Sequence, residues 1–202
     1  YVTGLTYRGG NLTIRGLYAS SQFALYGCGF TNTSTSTTTL DFSTAGLSTP
    51  ALTNQNILVQ DLVFYASNAM TGGWAIKGGT TFSCSSIVRC TVFGSNYGYP
   101  GGHKNGVYLG MGCQDVSMNK TFVWMCPGSG IETEGYESNS TDAGAGTTYY
   151  FHECFVAGCT HGLRYKHKDA IHATSCDFVL NYVTNVFISP DISDTPSPYQ
   201  HG

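Results

Sequence analysis

Apolar and polar positions along this chain fall into short recurring figures, the commonest of which reads apolar-x-x-small-x-apolar. It occurs at Ile14, Leu17 and Ala19; Val59, Leu62 and Phe64; Ile87, Cys90 and Val92; Met118, Thr121 and Val123; Phe151, Cys154 and Val156; and Ala173, Cys176 and Phe178. After a turn, each figure is followed by a second apolar alternation: Leu25, then Ile76, Val107 with Leu109, Ile131 with Thr133, Leu163 with Tyr165, and Val186 with Ile188. Alternation with a period of two predicts strands, and a repeated figure predicts stacked units sharing one core. The elements together predict an all-β solenoid, a right-handed parallel β-helix of about six three-strand coils.

The figures are unevenly spaced. Phe151 and Ala173 are 22 residues apart, Met118 and Phe151 are 33, and Ile14 and Val59 are 45, so the shortest coil is bare and the others carry loops. Breaker-rich stretches place these insertions near 31–55, 94–103 and 136–147 of a single β-helix segment covering 1–202. Outward positions test the register, because coils stack about 4.8 Å apart and like charges in line repel. Asp61, Arg89, Lys120, Glu153 and Ser175 line up as one outward column of the first strand, with opposite charges meeting at two of its steps. In the second strand Glu132 faces Arg164 and Glu134 faces Lys166. Exposed pairs contribute about 0–1 kcal/mol each, so they report register while burial of the inward stacks dominates stability.

Composition sharpens this reading. Charged residues make up only 10% of the 202, and 26 glycines suit a turn-rich β protein. A net charge of -3 gives no footprint for nucleic acid, and no apolar run reaches the roughly 18 residues of a membrane span. Neither nucleic acid nor membrane insertion is therefore expected. Tyr1 opens directly into a strand-like pattern and the Ser189 to Gly202 stretch carries no cap, so the chain is expected to be cut from a longer protein. Among the eight cysteines, Cys90, Cys154 and Cys176 share an inward column, where thiols fill a narrow core as small hydrophobes. Cys126 and Cys159 fall at one turn of adjacent coils with Asn181 next in line; a bridge there stays open, at the short and strained end of disulfide geometry. No Cys/His spacing suggests zinc, and neither a metal nor a cofactor is expected.

The segments NLTIRGLYAS, SIVRCTVF, TYYFHECFVAG and IHATSCDFVLN each set an inward small or sulfur-bearing residue before the turn. Through them the chain, from about Asn11 to Ser189, resembles the pectate-lyase-like superfamily of right-handed β-helices, which includes polysaccharide lyases, many glycosidases and phage tailspikes. The resemblance is architectural and implies the fold; a shared fold assigns no reaction. Lyases of this superfamily hold calcium with clustered aspartates and use an arginine or lysine as base, and its polygalacturonase-like branch carries paired aspartates. This sequence departs from both, with isolated acids in its columns and no adjacent Asp pair.

Glu132 and Glu134, in GIETEG, leave one strand face roughly 7 Å apart, which suits two-carboxylate glycoside hydrolysis. Both rise from a single strand, however, and the neighbouring Arg164 and Lys166 favour their charged forms. Ladder ion pairs, carbohydrate contacts and catalysis are the three readings of this pair. Aromatic residues give the stronger hint, because sugars pack their CH faces on rings. Tyr97, Tyr99 and Tyr136 lie in the insertions, while Tyr108 and Phe187 share an outward column with Lys77, Glu132 and Arg164. Glu132 and Glu134 are thus the candidate catalytic residues, and Tyr108, Arg164, Lys166, Tyr136 and Tyr97 the candidate substrate-binding ones. Such a surface takes a glycan or packs against a neighbouring subunit. Asp169 beside His167 and His172 is a further candidate acid or base, or a solvated loop; His103 and Lys104 close a glycine-rich loop. Sequons at Asn11, Asn32, Asn119 and Asn139 are of the kind a Ser/Thr-rich chain produces by chance.

The expected function is that of a receptor-binding segment of a phage or viral tailspike that recognises surface polysaccharide. It would be a homotrimer on a virion tail or otherwise extracellular, with depolymerase activity left open. A secreted polysaccharide lyase or glycoside hydrolase is the first alternative. A structural spacer or adhesin without catalysis is the second.

Overall fold

The computed structural model describes residues 11–16, 28–42, 56–79, 82–96, 101–110, 113, 115–133, 148–165 and 170–188. Each turn of the chain contributes three strands. The first coil holds β1 (Leu12–Arg15), β2 (Gly29–Asn32) and β3 (Leu40–Asp41), the second β4 (Ile57–Gln60), β5 (Val63–Ala66) and β6 (Trp74–Gly78). The third holds β7 (Ser86–Val88), β8 (Thr91–Phe93) and β9 (Asn105–Leu109), the fourth β10 (Val116–Asn119), β11 (Phe122–Trp124) and β12 (Ser129–Thr133). β13 (Thr148–His152), β14 (Phe155–Ala157) and β15 (His161–Tyr165) form the fifth coil, and β16 (Ala170–Thr174), β17 (Asp177–Val179) and β18 (Thr184–Ile188) the sixth. Corresponding strands pair in parallel into three six-stranded sheets, β1-β4-β7-β10-β13-β16, β2-β5-β8-β11-β14-β17 and β3-β6-β9-β12-β15-β18. This is the right-handed parallel β-helix that the recurring figure predicts.

The figure itself spans a bend. Its first apolar residue belongs to the first sheet and its last to the second, and the residue between strands turns the corner in the left-handed region: Asp61, Arg89, Lys120, Glu153 and Ser175 have φ of 57°, 48°, 48°, 49° and 54°. The column expected on the outside of the first strand is therefore a stack of corner residues. Period-two counting carries through the bend because a single left-handed residue reverses the chain's course while keeping its neighbours alternately in and out. Next to it stands the small inward position, at Leu62, Cys90, Thr121 and Cys154, all buried. These side chains do more than fill space. Cys90 Sγ donates to the carbonyls of Val88 and Val59, Thr121 Oγ1 to those of Asn119 and Ile87, and Cys154 Sγ to those of His152 and Met118. The bend carbonyls of Val88, Asn119 and His152 also accept from the N–H groups of Asp61, Arg89 and Lys120, so the small side-chain donor adds a second bond at each bend.

The core is a set of columns: Val59, Ile87, Met118 and Phe151 in the first sheet, Phe64, Val92, Val123 and Val156 in the second, and Ile76, Val107, Ile131 and Leu163 in the third. All are essentially inaccessible to water. Burial falls away at the last coil, where Val186 and Ile188 are exposed.

The first coil differs from the sequence reading in two places. Gly29 pairs with Val63 and Phe30 with Phe64, so Cys28 and Phe30 hold the positions assigned to Leu17 and Ala19, and Leu40, paired with Ile76, holds the one assigned to Leu25. Leu17, Ala19 and Leu25 lie outside the described residues. Leu25, Cys28 and Phe30 also fit the figure in sequence, and the Phe30–Phe64 stack, with centroids 5.8 Å apart, sets Phe30 in the second-sheet column. The stretch expected as an insertion from residue 31 accordingly begins inside the coil, since β2 runs to Asn32 and β3 to Asp41.

Candidate functional site

The outer face of the third sheet gathers the side chains with chemistry. Its strands share an unusual burial pattern: in β6, β9 and β15 two consecutive residues are buried between half-buried ones. The first of the two is Ala75, Gly106 or Gly162, with Gly130 at the same place in β12. A Cβ on Gly130 would strike the Val156 side chain, and one on Gly106 would strike the Gly130 carbonyl. Closeness of the backbone at this corner is what demands glycine or alanine. The kink has a consequence for the surface. Residues three apart, such as Trp74 and Lys77, reach the same side of the strand, although strict alternation would separate them.

In register, the outward ladder reads Asp41, Lys77, Tyr108, Glu132, Arg164 and Phe187. This places Tyr108, Glu132 and Arg164 in the order the sequence predicts. Trp74 and Tyr108 pack ring against ring at 5.0 Å between centroids, tilted by 40°, and Lys77 Nζ lies 5.9 Å from the Tyr108 ring centre. The opposed faces of two rings and a cation near one of them form a half-buried apolar strip with a charged margin.

Glu132 lies directly beyond. One of its carboxylate oxygens, Oε2, accepts from Ser129 Oγ at 2.7 Å and from Arg164 Nη1 at 3.1 Å, with the side chain 11% exposed. Two donors on one oxygen of a nearly buried carboxylate fix its position. That position suits orienting Arg164 and accepting hydrogen bonds. Neighbouring positions are polar as well. Asn105 donates to Gly73 O at 2.9 Å while its Oδ1 accepts from the Ser129 N–H at 3.1 Å, and His161 Nδ1 meets Thr184 Oγ1 at 2.9 Å.

Of the other sequence candidates, Glu134, Lys166, Tyr136 and Tyr97 lie outside the described residues, as do Tyr99, Asp169 and His167. His172 stands on the first sheet, stacked at 5.3 Å on Tyr150, on a different sheet from Glu132. His103 is fully buried where the segment 101–103 runs beside Gly94, with its N–H bonded to the Phe93 carbonyl at 2.8 Å. Among the described residues no group of three or more His, Cys, Asp or Glu side chains could hold a metal ion. Comparison with known proteins adds no relative: no family model, no curated protein and no solved structure matches the chain.

Trp74, Asn105, Ser129 and His161 are the members of this face that sequence reasoning missed. The signal was present as a residue followed by Gly or Ala at the start of four of the six third-sheet strands, in WAIKG, NGVYL, SGIET and HGLRY. Period-two counting from Ile76 or Val107 reads those residues as inward, and only the kink turns them out.

A second outward surface belongs to the second sheet. Val63, Thr91, Phe122 and Phe155 form one column, and Phe93, Trp124, Ala157 and Val179 line up beside it. Phe155 packs on both Phe122 and Trp124, at 5.8 and 5.7 Å between centroids. The first column continues to Asp177 on the sixth coil, and Val63, Thr91, Phe122 and Ala157 are already buried within the chain, leaving Phe93, Trp124 and Phe155 as the half-buried aromatic strip.

Proposed function

We propose that this chain is a polysaccharide-recognising segment of a tailspike-like β-helix of the pectate-lyase-like kind, and that the third sheet's outer face receives the glycan. The Trp74–Tyr108 pair, flanked in register by Lys77, Glu132 and Arg164, carries this reading. A pyranose presents an apolar face and a rim of hydroxyls. The rings match the face, and the fixed carboxylate, guanidinium and Asn105 amide match the rim. A flat ladder running across several coils fits an extended polymer better than a small molecule. Such a protein acts outside the cell or on a virion surface, and the half-buried aromatic strip of Phe93, Trp124 and Phe155 on the second sheet is where copies of a homotrimer would meet.

The test is binding to a panel of purified bacterial surface polysaccharides by the intact chain. Trp74→Ala and Tyr108→Ala should each weaken the best binder about tenfold, equivalent to about 1.4 kcal/mol, with melting temperature nearly unchanged. A panel without any binder, or binding indifferent to both substitutions, overturns the assignment.

A further inference from the structure

The small inward column beside the first corner ends in two cysteines on successive coils, Cys154 and Cys176, which the pairing of Phe155 with Asp177 brings into register. The Asp177 N–H donates to the Cys154 carbonyl at 2.9 Å, locking the two positions one coil apart. Coil separation of about 4.8 Å lies within the α-carbon range of a disulfide. The register therefore sets the two thiols at the same position of the same inward column, one coil apart. Their surroundings differ. Cys154 is buried, whereas Cys176, on the last described coil, is half-buried and packs on the core's edge.

We propose that Cys154 and Cys176 form a reactive dithiol: Cys176 is the attacking thiol, Cys154 the resolving one, and disulfides of low molecular weight are the substrate class. The Cys176 thiolate attacks one sulfur of such a disulfide, whose S–S bond breaks to release one thiol and leave a mixed disulfide on Cys176. Cys154 then gives up its proton and attacks the Cys176 sulfur, expelling the second thiol as the Cys154–Cys176 bond forms. Two protein thiols are oxidised and one small disulfide is reduced to two thiols. Electrostatics agree with the division of labour. Interaction with the neighbouring Cys154 brings Cys176 down to about 6, while interaction with Cys176 and burial push Cys154 up. Once formed, the bridge ties the sixth coil to the fifth, across the sheets where burial is thinnest.

Cys126 and Cys159 make an instructive contrast. They too are stacked, the Cys126 N–H pointing at Cys159 Sγ at 3.4 Å, but both are wholly buried. An attacking reagent reaches Cys176 and not this pair. Cys84, exposed and distant in register, serves as the internal reference for ordinary reactivity.

The experiment treats the reduced, intact chain with oxidised glutathione at neutral pH and follows intact mass and proteolytic maps. The expected product is lighter by two hydrogens, with a crosslink between the Cys154 and Cys176 peptides, a higher melting temperature and full reversal by dithiothreitol. In Cys154→Ser the reaction should stall as a lasting glutathione adduct on Cys176. Limiting iodoacetamide should label Cys176 several-fold faster than Cys84 in the wild type, a measurement that needs no variant. Adduct on Cys84 alone, a Cys126–Cys159 crosslink in its place, or a Cys176 no more reactive than Cys84 would each overturn the proposal.

Discussion

Left-handed backbone is the most demanding local requirement in this chain. A non-glycine residue there costs about 1–2 kcal/mol, yet five stacked corners between the first and second sheets carry Asp, Arg, Lys, Glu and Ser. Side-chain pairing along the corner offsets part of that. Asp61, itself buried, accepts from Arg89 Nε at 2.6 Å and Nη2 at 3.0 Å, and lies 3.4 Å from Arg15 Nε; Lys120 and Glu153 meet at 3.3 Å. The hydrogen bond from Arg89 lowers the Asp61 carboxyl despite burial, so its contribution stands above the ordinary carboxylate range and is lost as pH falls through the lowered value. His103 works in a higher pH window. It is buried, neither ring nitrogen has a partner among the described residues, and burial lowers it to about 4 from 6.5. The unfolded chain therefore binds more protons than the folded one between these values. Stability from this residue is complete above about pH 6.5 and declines towards pH 4, by at most about 1.4 kcal/mol per pH unit. Urea titrations at pH 7.5 and 4.5 should show a smaller acid loss in His103→Leu than in the wild type.

Strands here are three to five residues long, except β3 with two, so each depends on its neighbours in the stack rather than on its own propensity. Glycine at the start of the third strands shows how. Gly106, Gly130 and Gly162 are each crowded by the next coil, and Gly130 is hemmed in by Val156, the Gly162 carbonyl and Cys159 Sγ. Gly130→Ala, though a gain of one methyl group, should cost about 1–3 kcal/mol by forcing the fourth and fifth coils apart, read as a lower urea midpoint at unchanged slope.

Across the whole molecule, three faces of one prism differ in character. The first sheet is polar outside, with Ser86 and Ser117 hydroxyls 2.7 Å apart and Tyr150 stacked on His172. The second carries an aromatic strip of Phe93, Trp124 and Phe155 that ends beside Asp177, and the third carries the ladder of rings and charges. A single chain thus offers separate surfaces for self-association and for ligand. If the second sheet is the subunit contact, sedimentation of the wild type should give three times the chain mass and Trp124→Glu should give monomer, with the third-sheet ladder intact in each subunit. A wild-type monomer would remove the spike-like assembly while leaving the glycan face to be judged by its own test.

How far each feature could be read in advance follows from the physics of stacking. Inward columns such as Ile87, Met118 and Phe151 were legible because every coil must bury the same face, which repeats the demand in sequence. Tyr108, Glu132 and Arg164 followed from counting along those columns. Three things escaped: the left-handed corner within the repeated figure, the first coil's use of Cys28 and Phe30, and Trp74's place beside Tyr108. Each depends on contacts between residues in different coils. Local order of residues specifies which side chains want burial; only the packed stack decides which residues pair across coils and where the backbone bends to allow it.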